Sequence, residues 1–172
     1  MLPIIQNRIS IRLFEEKDIS NDYISWLNDP EVVKYSNQRF MIHSYESCKS
    51  YFESFLDSDN LFLVISHNET KEVLGTMTVY FSINHSTADI GIMVGNKNFW
   101  GMGLGEEAWM GVMEFLLNQL NIRKVTGGTL SSNKGMIRIF EKTGMISDGV
   151  RKDQETINGI PHDIVYFAKF RS

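Results

Sequence analysis

Ten residues, Phe99-Trp100-Gly101-Met102-Gly103-Leu104-Gly105-Glu106-Glu107-Ala108, carry the clearest chemical signal in this 172-residue chain. Gly101, Gly103 and Gly105 alternate directly after the apolar residues 90–94 and directly before an amphipathic segment. Glycines at that spacing let consecutive backbone N–H groups turn toward one point, with no side chain in the way. A helix starting there adds its own unpaired N–H groups and the positive end of its dipole. Such a construction holds phosphate or pyrophosphate. Each of these glycines loses more backbone entropy on folding than alanine would, and a bound ligand explains that cost.

Two familiar phosphate sites fit poorly. A P-loop needs Gly-Lys-Ser or Gly-Lys-Thr, and neither occurs in the chain. Gly103-x-Gly105-x-x-Ala108 matches a dinucleotide fingerprint, but that fold wants an acidic residue about 20 positions further on. Residues 115–140 contain no Asp or Glu, and too little chain follows the loop for a doubly wound sheet.

Trp100-Gly101-Met102-Gly103-Leu104-Gly105 resembles the Q/R-x-x-G-x-G/A pyrophosphate loop of the GNAT acyltransferase superfamily, with Trp100 where Gln or Arg is commonest. The Trp-Gly-x-Gly variant resembles the branch with ribosomal-protein and spermidine N-acetyltransferases. Ala88-Asp89-Ile90-Gly91 resembles the Ala-Glu-Ile-Gly strand before that loop. Asn133, Met136, Ile139, Phe140, Glu141, Lys142 and Gly144 follow the pattern N-x-x-A-x-x-L-Y-E-K-x-G of a later helix.

The resemblance implies an acetyl-CoA-dependent N-acetyltransferase acting on a primary amine by direct attack, without a metal. It places the cofactor pyrophosphate on residues 100–105, and the pantetheine arm on the backbone of Ile92, Met93 and Val94 and on Asn133. The same N–H groups would steady the oxyanion. Asn133 is also a favoured helix cap. Phe140, on the cofactor side, stands where the family places a tyrosine that protonates the departing thiolate. A phenylalanine cannot, so the thiolate leaves unassisted, or Ser131, Ser132 or water substitutes, at a penalty of about 10²–10⁴-fold. Phe140 also fits a second reading, a non-catalytic module that binds coenzyme A.

Asp89 takes the Glu position of the strand motif and is the first candidate base, with His85 four residues earlier as its partner; His43 and Glu31 are weaker candidates. The segment Tyr35-Ser36-Asn37-Gln38-Arg39 mixes amide, guanidinium and aromatic groups that suit a polar or phosphorylated acceptor. With Phe40 and with Trp26-Leu27-Asn28-Asp29-Pro30-Glu31, it resembles enzymes that acetylate amino groups on nucleotide-linked sugars, and a protein N-terminus or a polyamine remains open as acceptor. Cys48 falls on an apolar helical face with no cationic neighbour in sequence, a core position.

Composition sets the frame. The chain is 42% hydrophobic and 22% charged, with a net charge of −4 and one cysteine. This describes one domain over residues 1–172, with no disulfide, no cysteine-rich metal site and no basic cluster for nucleic acid. No apolar run is long enough for a membrane span or signal peptide, so a cytoplasmic location is expected.

Periodicity predicts strands over residues 9–13, 61–66, 73–80, 88–94 and 124–130, and helices over 15–28, 44–56, 103–117 and 133–143. A terminal hairpin over 149–157 and 160–170 turns at Asn158-Gly159 and could serve in a homodimer. The order β-α-α-β-β-β-α-β-α-β-β predicts an α/β (α+β) GNAT fold, a single mixed central sheet with helices on both faces.

Overall fold

Alternating apolar side chains decide which face of each strand is covered. The structure, a computed structural model, describes residues 2–172. In the strand Leu61–His67, Leu63 and Ile65 join one apolar cluster, while Phe62 and Val64 join another. Successive side chains point to opposite faces, so this strand is covered on both.

The strands are β1 (Ile4–Ile5), β2 (Ile9–Leu13), β3 (Leu61–His67), β4 (Val73–Ser82), β5 (Thr87–Val94), β6 (Lys124–Leu130), β7 (Ile146–Ile157) and β8 (Ile160–Phe170). They form one sheet in the order β1-β2-β3-β4-β5-β6-β8-β7, antiparallel except at β5–β6. Helices α1 (Asn21–Leu27) and α2 (Tyr45–Leu56) cover the Phe62 face. Helices α3 (Leu104–Glu114) and α4 (Lys134–Lys142) cover the Leu63 face. The expected mixed sheet with helices on both faces is present, and β1, too short to show a period, precedes the predicted order.

Two predicted helices are modified. Over residues 15–28, a 3-10 turn at Glu16–Asp18 comes first, and Ser20 then caps α1 by accepting the Tyr23 N–H at 3.1 Å. The Asp18 carboxylate is occupied by the Arg12 guanidinium at 2.7 and 2.8 Å, which holds the chain out of a continuous helix. The end of the third predicted helix is a π turn, Phe115–Gln119.

The feature that positions the site is the parting of β5 from β6. They pair only at Thr87↔Lys124, Ala88↔Val125 and Asp89↔Thr126. Beyond Asp89, β5 stays with β4 as far as Val94, and β6 stays with β8 as far as Leu130. A wedge therefore opens in the middle of the sheet, with a free backbone edge on each side. Trp109 of α3 and Phe140 of α4 pack beneath it, ring centroids 5.2 Å apart. Gly127 of β6 makes this possible, since a Cβ there would stand 2.7 Å from the Trp109 ring.

Candidate active site

The glycine loop lies at the open end of the wedge. Gly101 and Gly103 take φ values of 75° and 78°, left-handed backbone that side chains disfavour. Gly103 is the N-cap of α3, and its carbonyl accepts the Glu107 N–H at 3.1 Å. Among the described residues, the N–H groups of residues 101–106 find no protein acceptor. Six consecutive free donors at a helix start form an anion site. Glu106 and Glu107 sit in the same first turn and would repel an anion, but each is paired, Glu106 with Lys142 at 2.8 Å and Glu107 with Arg8 at 2.7 Å.

The loop is tied down by side chains. The Trp100 indole N–H donates to the Val94 carbonyl at 2.8 Å, anchoring the loop to the end of β5. Arg8 donates to the Met102 carbonyl at 2.8 Å. Trp100 is thus an anchor and Met102 is held by its carbonyl, and the Met102 side chain is exposed. Gly105 lets α3 approach β5 closely, because a Cβ there would lie 3.3 Å from Val94 Cγ2. Leu104 is buried in the core below.

Below the loop, a cavity of about 330 Å³ runs through the wedge. Ile92, Met93 and Val94 form one wall, Gly128 and Thr129 the opposite one, and Asn133, Met136, Phe140 and Trp109 the floor. Tyr23, Leu27, Tyr35 and Gln38 line it from the other face of the sheet. Asn133 caps α4 by accepting the Met136 N–H at 3.2 Å and donates to the Thr129 hydroxyl at 3.0 Å. Phe140 is fully buried and stacks on Phe167 at 5.0 Å, so its ring closes the cavity floor as part of the core.

A second cavity, about 250 Å³, opens where the wedge closes. Its walls are Tyr35, Asn37, Asp89, Gly128, Thr129, Leu130, Glu155, Ile164 and Tyr166. Asp89 belongs to the last β5–β6 pair and accepts the Thr126 hydroxyl at 2.6 Å. Water reaches this carboxylate through the mouth, yet enough protein surrounds it that burial pushes its pKa above the usual carboxylate range, against the lowering effect of Thr126. Asn37 donates to Glu155 at 3.3 Å. Three residues line both cavities: Tyr35, Gly128 and Thr129.

Other expected residues lie elsewhere. His85 ends the 3-10 turn before β5, at the opposite end of that strand from the wedge, and its carbonyl accepts from Arg123 at 3.3 Å. It does not meet Asp89 in either cavity. Ser131 lines neither cavity; its N–H donates to the Asp163 carbonyl at 2.8 Å and its own carbonyl accepts Lys134 at 2.8 Å. Arg39 lines neither cavity, although its guanidinium stands 3.6 Å from the Glu155 carboxylate of the mouth. It donates to the carbonyls of Ser36 at 2.7 Å and Thr156 at 3.1 Å, and clips the 3-10 turn Asn37–Phe40 onto β7. A guanidinium in a polar loop satisfies the nearest carbonyls, which no residue type in that loop announces. Sequence reasoning missed Thr129, Glu155, Tyr166 and Arg8; all four lie outside the recognised motifs, and only spatial proximity brings them in.

Comparison with known proteins agrees with this architecture. Residues 8–146 match the family described as "Acetyltransferase (GNAT) domain". The chain is 25% identical over 178 residues to "Uncharacterized N-acetyltransferase p20" of Bacillus licheniformis, covering 98% of this chain and 96% of that one. The structure of spermidine N-acetyltransferase from Vibrio cholerae in complex with CoA and spermine superposes with a TM-score of 0.87 at 15% identity, over 96% and 97% of the two chains. A ribosomal-protein-S5-alanine acetyltransferase from Vibrio fischeri gives 0.81 at 13% identity, over 99% and 97%. At these identities the structural matches establish the fold, while the family match covers most of the chain. With a split sheet, a glycine loop at its open end and these relatives, the chain belongs to the GNAT acetyltransferase family and is an N-acetyltransferase.

Proposed function

We propose that this enzyme transfers an acetyl group from acetyl-CoA to a cationic primary amine by direct attack. The carrying observation is that a cavity whose β5 wall ends beneath six acceptor-free N–H groups adjoins, across Tyr35, Gly128 and Thr129, a mouth lined by Asp89 and by Glu155, the latter paired with Arg39. The loop fits a pyrophosphate because its donors converge, its glycines leave the approach open, and its acidic neighbours are already neutralised. Acetyl-CoA supplies the activated acyl group as a thioester. The backbone of residues 101–106 holds the pyrophosphate, and the free edge of β5 at Ile92, Met93 and Val94 takes the amide-bearing arm as an added strand would. The same edge donates to the oxyanion.

Asp89 accepts a proton from the incoming ammonium, and its raised pKa makes it a stronger base than an ordinary carboxylate. No Lys, Arg or His lines the mouth; Arg39 reaches only its Glu155 wall, at 3.6 Å, and also bonds the carbonyls of Ser36 and Thr156. A polyamine or a protein N-terminus therefore fits better than a phosphorylated, nucleotide-linked sugar. Holding both substrates in one cleft supplies much of the acceleration.

The test is free-thiol release from acetyl-CoA across a panel of polyamines, peptides with Ala or Ser N-termini, and amino sugars with and without a linked nucleotide. Selective release with a cationic amine is expected. Selective release with a nucleotide-linked sugar would overturn the acceptor assignment, and failure to bind CoA by calorimetry would overturn the donor assignment.

A further inference from the structure

We propose that Tyr35 is the proton donor to the departing sulfur, in place of the tyrosine that Phe140 displaces; this rests on the acetyl-CoA reading above. Acyl transfer requires the thioester carbon and the amine within about 3.5 Å of one another. The donor cavity and the acceptor mouth share only Tyr35, Gly128 and Thr129 among the described residues, so bonds are made and broken beside these three. Phe140 carries no ionisable proton and is packed between the edge-on Trp109 ring and the stacked Phe167 ring. Two hydroxyls remain at the junction.

Chemistry separates them. An aliphatic alcohol is far too weak an acid to yield its proton to a thiolate, whereas a phenol ionises close to the range of a thiol. Thr129 already serves Asn133 as an acceptor at 3.0 Å, which fixes the cap of α4. The Tyr35 hydroxyl has no hydrogen-bond partner among the described residues, although the residue is half-buried. Its charged surroundings are the Lys34 ammonium, 5.2 Å from the ring centroid, and, across the mouth, the Asp89 carboxylate, Glu155 paired with Arg39 at 3.6 Å, and Arg151 over the Tyr166 ring at 5.3 Å. Asp89 lines the mouth alone, on the acceptor side, which leaves base and acid on separate sides of the reacting carbon.

In the step, the ammonium first gives one proton to Asp89, which passes it to water; the amine nitrogen then bonds to the acyl carbon and gives up its second proton to Asp89. The C–S bond breaks with its electron pair going to sulfur. Tyr35 transfers its phenolic proton to that sulfur, and water returns a proton to the phenolate.

Three variants of the full chain test this: Tyr35→Phe, Thr129→Val, and Tyr35→Phe combined with Phe140→Tyr. The first readout is the ionisation of CoA thiol bound to the enzyme, followed by thiolate difference absorbance against pH. Losing a phenol that stabilises the thiolate raises the bound thiol's pKa by about one unit in Tyr35→Phe. The second is turnover, where kcat falls about 10²-fold in Tyr35→Phe with the KM for acetyl-CoA unchanged. Phe140→Tyr in that background restores part of kcat by returning a phenol from the other side. An unshifted thiol ionisation in Tyr35→Phe, or a kcat loss confined to Thr129→Val, would overturn the assignment while leaving the acetyltransferase reading intact. Absence of CoA binding to the wild type would overturn both.

Discussion

At the open end of the wedge, the anion-binding donors come from one run of six residues, 101–106, and their direction is set by local backbone. At the other end, Tyr35, Asn37, Asp89, Glu155 and Tyr166 reach the mouth from the α1–α2 connection, β5, β7 and β8. In the proposed reading, the donor site uses main-chain groups, which any residue supplies once the loop is made. The proposed acceptor site uses side chains, whose identity can change without disturbing the loop. That division would suit one half to a constant ligand and leave the other free to vary.

Substitution of the mouth carboxylate gives the largest expected difference between the halves. Asp89→Asn lowers kcat by about 10²–10⁴-fold and leaves the affinity for acetyl-CoA unchanged. A matching loss of donor affinity would mean that the two ends are not separable. The wild-type rate falls on acidification through a pKa above the ordinary carboxylate range, because burial disfavours the charged form of Asp89. Stability carries the opposite sign. The folded carboxyl binds its proton more tightly than the unfolded one, so its contribution is full below about pH 3.9 and is lost as pH rises through the raised folded value. Asp89→Asn therefore gains stability relative to wild type at pH 7 and loses that gain at pH 3, as thermal melts at the two pH values would show.

Gly103→Val breaks the comparison from the donor side. A β-branched residue at φ 78° strains the cap of α3 by about 1–2 kcal/mol. Misdirected N–H groups raise the KM for acetyl-CoA by about ten- to a hundredfold, with the acceptor KM unmoved. Arg39→Met sharpens the comparison more gently. Without its bonds to Ser36 and Thr156, the turn Asn37–Phe40 loosens, and the acceptor KM rises about three- to tenfold at constant KM for acetyl-CoA. If neither constant moves, that turn is only a connection.

Legibility in the sequence followed the same division. The loop, the strand before it and the cap at Asn133 were readable because each depends on neighbours within a few residues. Ser44 capped α2 as expected, and Asn158-Gly159 made the hairpin turn with φ of 50° and 77°. The helix expected over residues 15–28 was misread because apolar spacing continues through Ser20, whose capping strength outweighs the period. The partners of Arg39 on β7 were not legible, because composition does not say where a guanidinium points. Glu155 was invisible because an irregular register between Arg151 and Glu155 sets its place on β7, with Asp153 in left-handed backbone and its N–H held by Asp163 at 3.0 Å.

By themselves, the residues in order determined a mixed sheet covered on both faces, one glycine loop at the start of a helix, and a phenylalanine where the family motif has a tyrosine. These are consequences of short-range periodicity and backbone conformation, which act over one or two turns of chain. Only the tertiary structure decided that β5 and β6 part after Asp89, that Arg8 braces a loop more than ninety residues away, and that Tyr35 stands at the junction of two cavities. Those outcomes depend on which side chains fill the space between distant elements, and that space exists only after the sheet has closed around it.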